Sequence, residues 1–128
     1  MAKKVLQVIE SGYRATLEEQ DDTVVWITHA MKGAGGDFDV LLRGHAVNYA
    51  VRGQDASGLA FGAKKQTQPP RIADDVAKFA SKGINVYVVR EDLGDRGIEG
   101  SDIIDGMKLV PRADVPKLFD DYQQVWHW

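Results

Sequence analysis

Three arginines, Arg43, Arg90 and Arg112, one histidine, His45, and the carboxylates Glu91 and Asp92 are the side chains whose types suit chemistry on a small anion. A guanidinium fork pairs with carboxylate, phosphate, sulfate or sulfonate oxygens through parallel hydrogen bonds. The alternative for these arginines is a salt-bridged rim with Glu91, Asp92 and Asp95. His45 follows Gly44, and its imidazole titrates near neutral pH, as a base or a ligand would. No serine, threonine or carboxylate adjoins it to form a dyad, so it reads as a polar, hydrogen-bonded or ligand-facing loop histidine rather than a catalytic one. His29 and His127 show no metal-ligand spacing, and neither a metal nor a cofactor is expected. The chain has no cysteine. Disulfides, thiolate metal sites, nucleophilic thiols and persulfides are excluded together, since each needs the sulfur atom.

The elements that must position these groups alternate between strand and helix. Lys4 to Glu10 is a short β-branched run that ends at Ser11-Gly12 and reads as a buried strand. From Leu17 to Lys32, at about 100° per residue, Leu17, Val24, Ile27, Thr28 and Met31 share one helical face, with Trp26 opposite. Glu18-Glu19 and Asp21-Asp22 read as its solvated acidic opening. Gly33-Ala34-Gly35-Gly36 stops it and lacks the order and spacing of a phosphate loop. Asp39 to Arg43 predicts a second strand, followed by a helical turn carrying Ala46, Val47, Ala50 and Val51. Residues 52–68 hold three glycines and no periodicity and form a long loop, in which Leu59 and Phe61 favour burial.

Pro69-Pro70 suits a first helical turn, and Ile72, Val76 and Phe79 then stack until Gly83. Ile84 to Val89 is the most β-like segment. Asp92 and Ser101 are candidate caps of short turns, and a fourth strand falls at Met107 to Val110. Asp114 is the candidate cap of a last helix with Val115, Leu118, Phe119 and Tyr122 inward, and Val125 to Trp128 alternates as a fifth strand.

This alternation predicts an α/β three-layer sandwich, a mainly parallel sheet of four to five strands with helices on both faces. Ligands of such sheets bind beyond the carboxyl ends of the strands. The candidate binding residues there are Ser11 and Tyr13, then Arg43, Gly44, His45 and Asn48, then Arg90, Glu91 and Asp92, then Arg112. No catalytic residue is assigned.

With 128 residues, 44% of them hydrophobic and 27% charged, the chain suits one domain over 1–128 with one core. A net charge of -3 without a basic patch argues against nucleic acid and anionic membranes. The absence of a signal-like start and of a run of about 20 apolar residues predicts a cytoplasmic protein.

Val5-Leu6-Gln7-Val8-Ile9, then Leu41-Leu42-Arg43-Gly44-His45-Ala46-Val47, then Lys82-Gly83-Ile84-Asn85-Val86-Tyr87-Val88-Val89, then Asp92-Leu93 with Arg96-Gly97-Ile98, together resemble the DsrE/DsrF-like family across nearly the whole chain. The resemblance implies an α/β subunit assembling into homotrimers or homohexamers, in a family tied to intracellular sulfur oxidation and sulfur relay between proteins. In active members a cysteine at the end of the third strand region carries the persulfide. Here the aligned position holds Val89, and the transfer is impossible without a donor sulfur. The expectation is therefore a non-catalytic oligomeric binding or accessory protein of the sulfur-relay type, with itself, a sulfur-metabolism protein or a small anion as partner. Two alternatives stand beside it. One is an enzyme acting on a small anionic substrate through His45 and the strand-end arginines. The other is a structural subunit with Trp26 and Trp126-His127-Trp128 as contact surfaces.

Overall fold

The computed structural model describes residues 4–13 and 22–128. In chain order its elements are β1 (Lys4–Ile9), α1 (Thr23–Gly33), β2 (Asp37–Leu42), a 3₁₀ segment Gly44–Ala50, a hairpin of β3 (Ala60–Phe61) and β4 (Lys64–Lys65), α2 (Ile72–Ser81), β5 (Val86–Val89) and α3 (Arg90–Gly94). A 3₁₀ turn at Gly100–Asp102, β6 (Lys108–Val110), another 3₁₀ turn at Arg112–Asp114, α4 (Val115–Asp120) and β7 (Gln124–His127) complete it.

Five strands form one sheet in the order β6-β5-β2-β1-β7, and every pairing in it is parallel. A parallel sheet is buried on both faces, so its central strands carry continuous apolar runs rather than alternation. β1 and β2 each bury five consecutive residues. On one face Ile9, Val40, Leu42, Val86 and Val88 pack with Val24 and Val25 of α1, Val76 and Phe79 of α2, and the 3₁₀ segment's Ala46, Val47 and Tyr49. On the other face Leu6, Val8, Leu41 and Val89 meet Val115 and Leu118 of α4. The molecule is the expected three-layer α/β sandwich.

Local chemistry sets several boundaries. α2 ends in a Schellman closure: Gly83 takes φ +78, its N–H bonds to Ala80 O, and the Ile84 N–H bonds to Phe79 O at 3.0 Å. β7 is held at the edge by the Trp128 N–H to Val8 O and the Glu10 N–H to Trp128 O, at 2.9 and 3.0 Å. Gln7, fully buried in the middle of β1, accepts the Trp128 indole N–H at 2.7 Å and donates to Thr28 Oγ1 at 3.2 Å. A buried amide requires such partners, and these tie the last strand to α1 through the sheet.

Several sequence expectations need correction. Asp22 is no solvated opening: it is fully buried, and its Oδ1 accepts the Val24 and Val25 N–H groups as the N-cap of α1. Leu17, Glu18, Glu19 and Asp21 lie outside the described residues. Pro69-Pro70 precede α2, whose cap is Arg71. Asp92 lies inside α3 rather than before it, because its carboxylate is engaged across the sheet end. Glu99, not Ser101, caps the turn at Gly100–Asp102, where Glu99 and Asp102 form a reciprocal capping box. Asp114 precedes α4 but its side chain makes no capping bond. Segment 52–68, expected to be a loop without periodicity, carries the β3–β4 hairpin, and Leu59 and Phe61, expected to find burial either over the site or against a neighbouring subunit, are exposed in the single chain, Phe61 to 67%.

Candidate functional site

Two clefts among the described residues bear on the expected binding residues. The smaller, about 310 Å³, is lined by Glu10, Arg43, Gly44, Val89, Asp92 and Arg112, with Val115, Pro116 and Phe119 of the α4 side behind them. Arg43 Nε lies 3.1 Å from Glu10 Oε1. Gly44 takes φ +56, and a Cβ there would stand 3.1 Å from Glu10 Cγ, so this turn requires glycine. The reward is that the Gly44 N–H points at Asp92 Oδ2, 2.7 Å away.

Asp92 is the hub. Its other oxygen accepts from the Arg112 guanidinium, which also reaches Asp95 at 3.2 Å, and the Arg112 N–H bonds to Glu91 Oε1 at 2.9 Å. Burial pushes the Asp92 carboxyl up, but the Gly44 N–H and Arg112 outweigh it and hold the group below the usual carboxylate range. The rim is thus salt-bridged in the resting chain. An entering anion must compete with Glu10 for Arg43 and with Asp92 and Asp95 for Arg112, exchanging carboxylate partners rather than filling a vacancy.

The expected binding residues are only partly brought together. Arg43 and Gly44 line the smaller cleft, and Glu91 braces it through Arg112. Arg90 is exposed at the start of α3 and lines neither cleft. Ser11, exposed at the end of β1, donates its N–H to Trp128 O at 3.4 Å. Tyr13 and His45 fall on the opposite side of the sheet end, their rings edge to face at 5.5 Å. Asn48 donates to His45 O at 2.8 Å and offers its own carbonyl to Gln54.

The larger cleft, about 510 Å³, lies between segment 53–57 and residues 69–74, with Tyr13 on its wall. Only Tyr13 among the expected residues reaches it. The others, including Gln54, Asp55 and Arg71, carry no sequence signal, because a long irregular loop meets the start of α2 only once the chain is folded.

The YchN protein of E. coli matches over 100% of both chains with a TM-score of 0.74 at 18% sequence identity. The fold is YchN-like. A protein of unknown function from Methanobacterium thermoautotrophicum also matches, with a TM-score of 0.66 at 12% identity, over 97% of this chain and 98% of that one. No protein-family model and no curated protein matches the sequence. The YchN-like fold agrees with the DsrE-like architecture expected from the strand motifs. Among the described residues no helix is long and apolar enough to cross a membrane.

Proposed function

We propose that this YchN-like chain is a non-catalytic, oligomeric binding or accessory protein of the sulfur-relay type, which offers its strand-end cleft to a small anion or a partner protein and cannot carry a persulfide. One observation carries the reading. Val89, where active relatives of the resembled family place their cysteine, lines the cleft that also holds Arg43 and Arg112, and the chain has no cysteine elsewhere to substitute for it. Sulfane sulfur is accepted by a thiolate, and an aliphatic side chain has no electron pair to offer. What remains is recognition: two guanidinium groups at the ends of β2 and β6, beside an apolar wall from α4. The His45 ring packs on Tyr13 and is not among the cleft-lining residues, so nothing in the geometry favours the enzymatic alternative. The work of such a protein belongs inside the cell, beside partners that carry the sulfur themselves.

The test has two arms. Incubation with polysulfide leaves the intact mass unchanged, and a stable gain of one sulfur atom per chain overturns the reading. Sulfate raises the melting temperature by binding the folded state, and Arg43→Ala reduces that rise more than a distant surface substitution does. Equal rises in both variants remove the anion from the proposal.

A further inference from the structure

Every residue from Arg52 to Lys65 is exposed, and the β3–β4 hairpin lies within this run. Ala60 pairs with Lys65 and Phe61 with Lys64 across a turn of Gly62 and Ala63, in which Gly62 takes φ +61, as a two-residue hairpin loop with glycine first requires. The Gln66 N–H to Leu59 O at 2.8 Å continues the pairing. Two strands this short are not stable in water by themselves and need a surface to pack on. Residues directly opposite in an antiparallel pair lie on one face, as do residues two apart on one strand. Leu59, Phe61 and Lys64 therefore share a face that joins two apolar side chains to a cation.

The larger cleft has the complementary character. Tyr13, Pro69, Pro70 and Ile72 give its lining an apolar part. The carboxylates of Asp55 and Asp74 stand there against one arginine, Arg71, which acts on Asp55, so the lining keeps a net negative charge. Asp74 and Lys64 are both exposed, and neither makes an ion pair among the described residues. At about 510 Å³ the cleft admits a phenylalanine side chain together with its neighbours. The hairpin joins the walls of this cleft at Ser57 and Pro69, yet neither Phe61 nor Lys64 lines it in its own chain.

We propose that the hairpin docks in the larger cleft of a second copy of this chain, with Phe61 against Tyr13 and the Pro69-Pro70-Ile72 lining and Lys64 beside Asp74. The contact presupposes the oligomer of the proposed function and supplies two surfaces that meet in it. Docking withdraws Phe61 and Leu59 from water and matches a cationic face to an acidic lining. Hairpin and cleft are different surfaces, so the contact closes as a ring or by exchange about a two-fold axis. The chain has no cysteine, so introduced thiols react alone. Ala63→Cys puts one at the hairpin turn and Ala73→Cys one on the cleft lining. Two differently tagged chains, each with one of these changes, are co-expressed and treated with a short bis-maleimide, and a mixed cross-linked pair is expected. Phe61→Ser, an exposed change that spares the core, raises the concentration needed for half-maximal linking about tenfold. Lys64→Glu in the hairpin-labelled chain also weakens linking, and Asp74→Lys in the cleft-labelled chain restores it. Failure of that charge swap to restore linking overturns the Lys64–Asp74 pairing. An oligomer by light scattering that gives no mixed pair overturns the hairpin contact and leaves the oligomer of the proposed function standing, whereas a monomer removes both. With both cysteines on one chain, a link formed within that chain makes the hairpin a lid on its own cleft and overturns the second copy as occupant.

Discussion

The Tyr49 hydroxyl donates to Asp22 Oδ2 at 2.6 Å, linking the 3₁₀ segment after β2 to the cap of α1. The same hydroxyl accepts the Tyr13 N–H, so one buried oxygen joins three segments distant in sequence. Burial, reinforced by the Asp22 carboxylate, pushes the Tyr49 phenol well above its ordinary range and keeps it protonated. Tyr49→Phe removes one atom but strands a Tyr13 N–H and an Asp22 oxygen. The expected cost is about 1–3 kcal/mol, read as a lower denaturant midpoint with an unchanged slope. An unchanged midpoint would show that the bridge holds nothing together.

A second carboxylate predicts the acid limb of stability. Asp39, 1% exposed at the amino-terminal side of the sheet, accepts from Tyr122, from Lys4 at 2.9 Å, and from the Asn85 N–H and side-chain amide at 2.9 and 3.2 Å. Burial pushes its carboxyl up, but these donors prevail and hold it below the usual range. A depressed folded-state pKa stabilises the fold above the unfolded value, about 3.9, and that contribution is lost as pH falls below it toward the folded value. Asp92 acts in the same direction. Thermal melts of the parent should therefore drop steeply below about pH 4, and those of Asp39→Asn, less stable at neutral pH, should drop less. Parallel acid limbs in the two proteins would refute the assignment.

Trp26 is 56% exposed on the outer face of α1, and Phe61, Leu109 and Trp128 are also exposed in one copy. An indole is a large amphipathic surface of the kind enriched at interfaces, and closed symmetry is the usual way soluble chains cover such groups. The proposed function carries the expectation that the chain forms a closed trimer or hexamer. Light scattering after gel filtration at low micromolar concentration should give several times the mass of one chain, lowered by Trp26→Glu. A monomer whose Trp26 fluorescence reports full hydration overturns this.

The layers of this protein are legible in its sequence because they depend on local pattern. Val5 to Ile9, Val40 to Leu42 and Val86 to Val89 are apolar runs too short for helices, and even the alternation of Val125 to Trp128 marks β7. The exclusion of thiol chemistry needs no structure either, since it is a matter of composition. Other features depend on residues far apart in the chain. Asp22 looks like one of several helix-opening acids until Tyr49, 27 positions away, supplies the hydroxyl that makes its burial tolerable. Asp92 looks like a cap until Gly44 and Arg112 converge on it from two other strand ends. The expected binding residues also separate, Arg43 to one cleft and Tyr13 to the other. The strand-end rule predicts which loops gather there, but only the packed chain decides which side of the sheet each side chain takes.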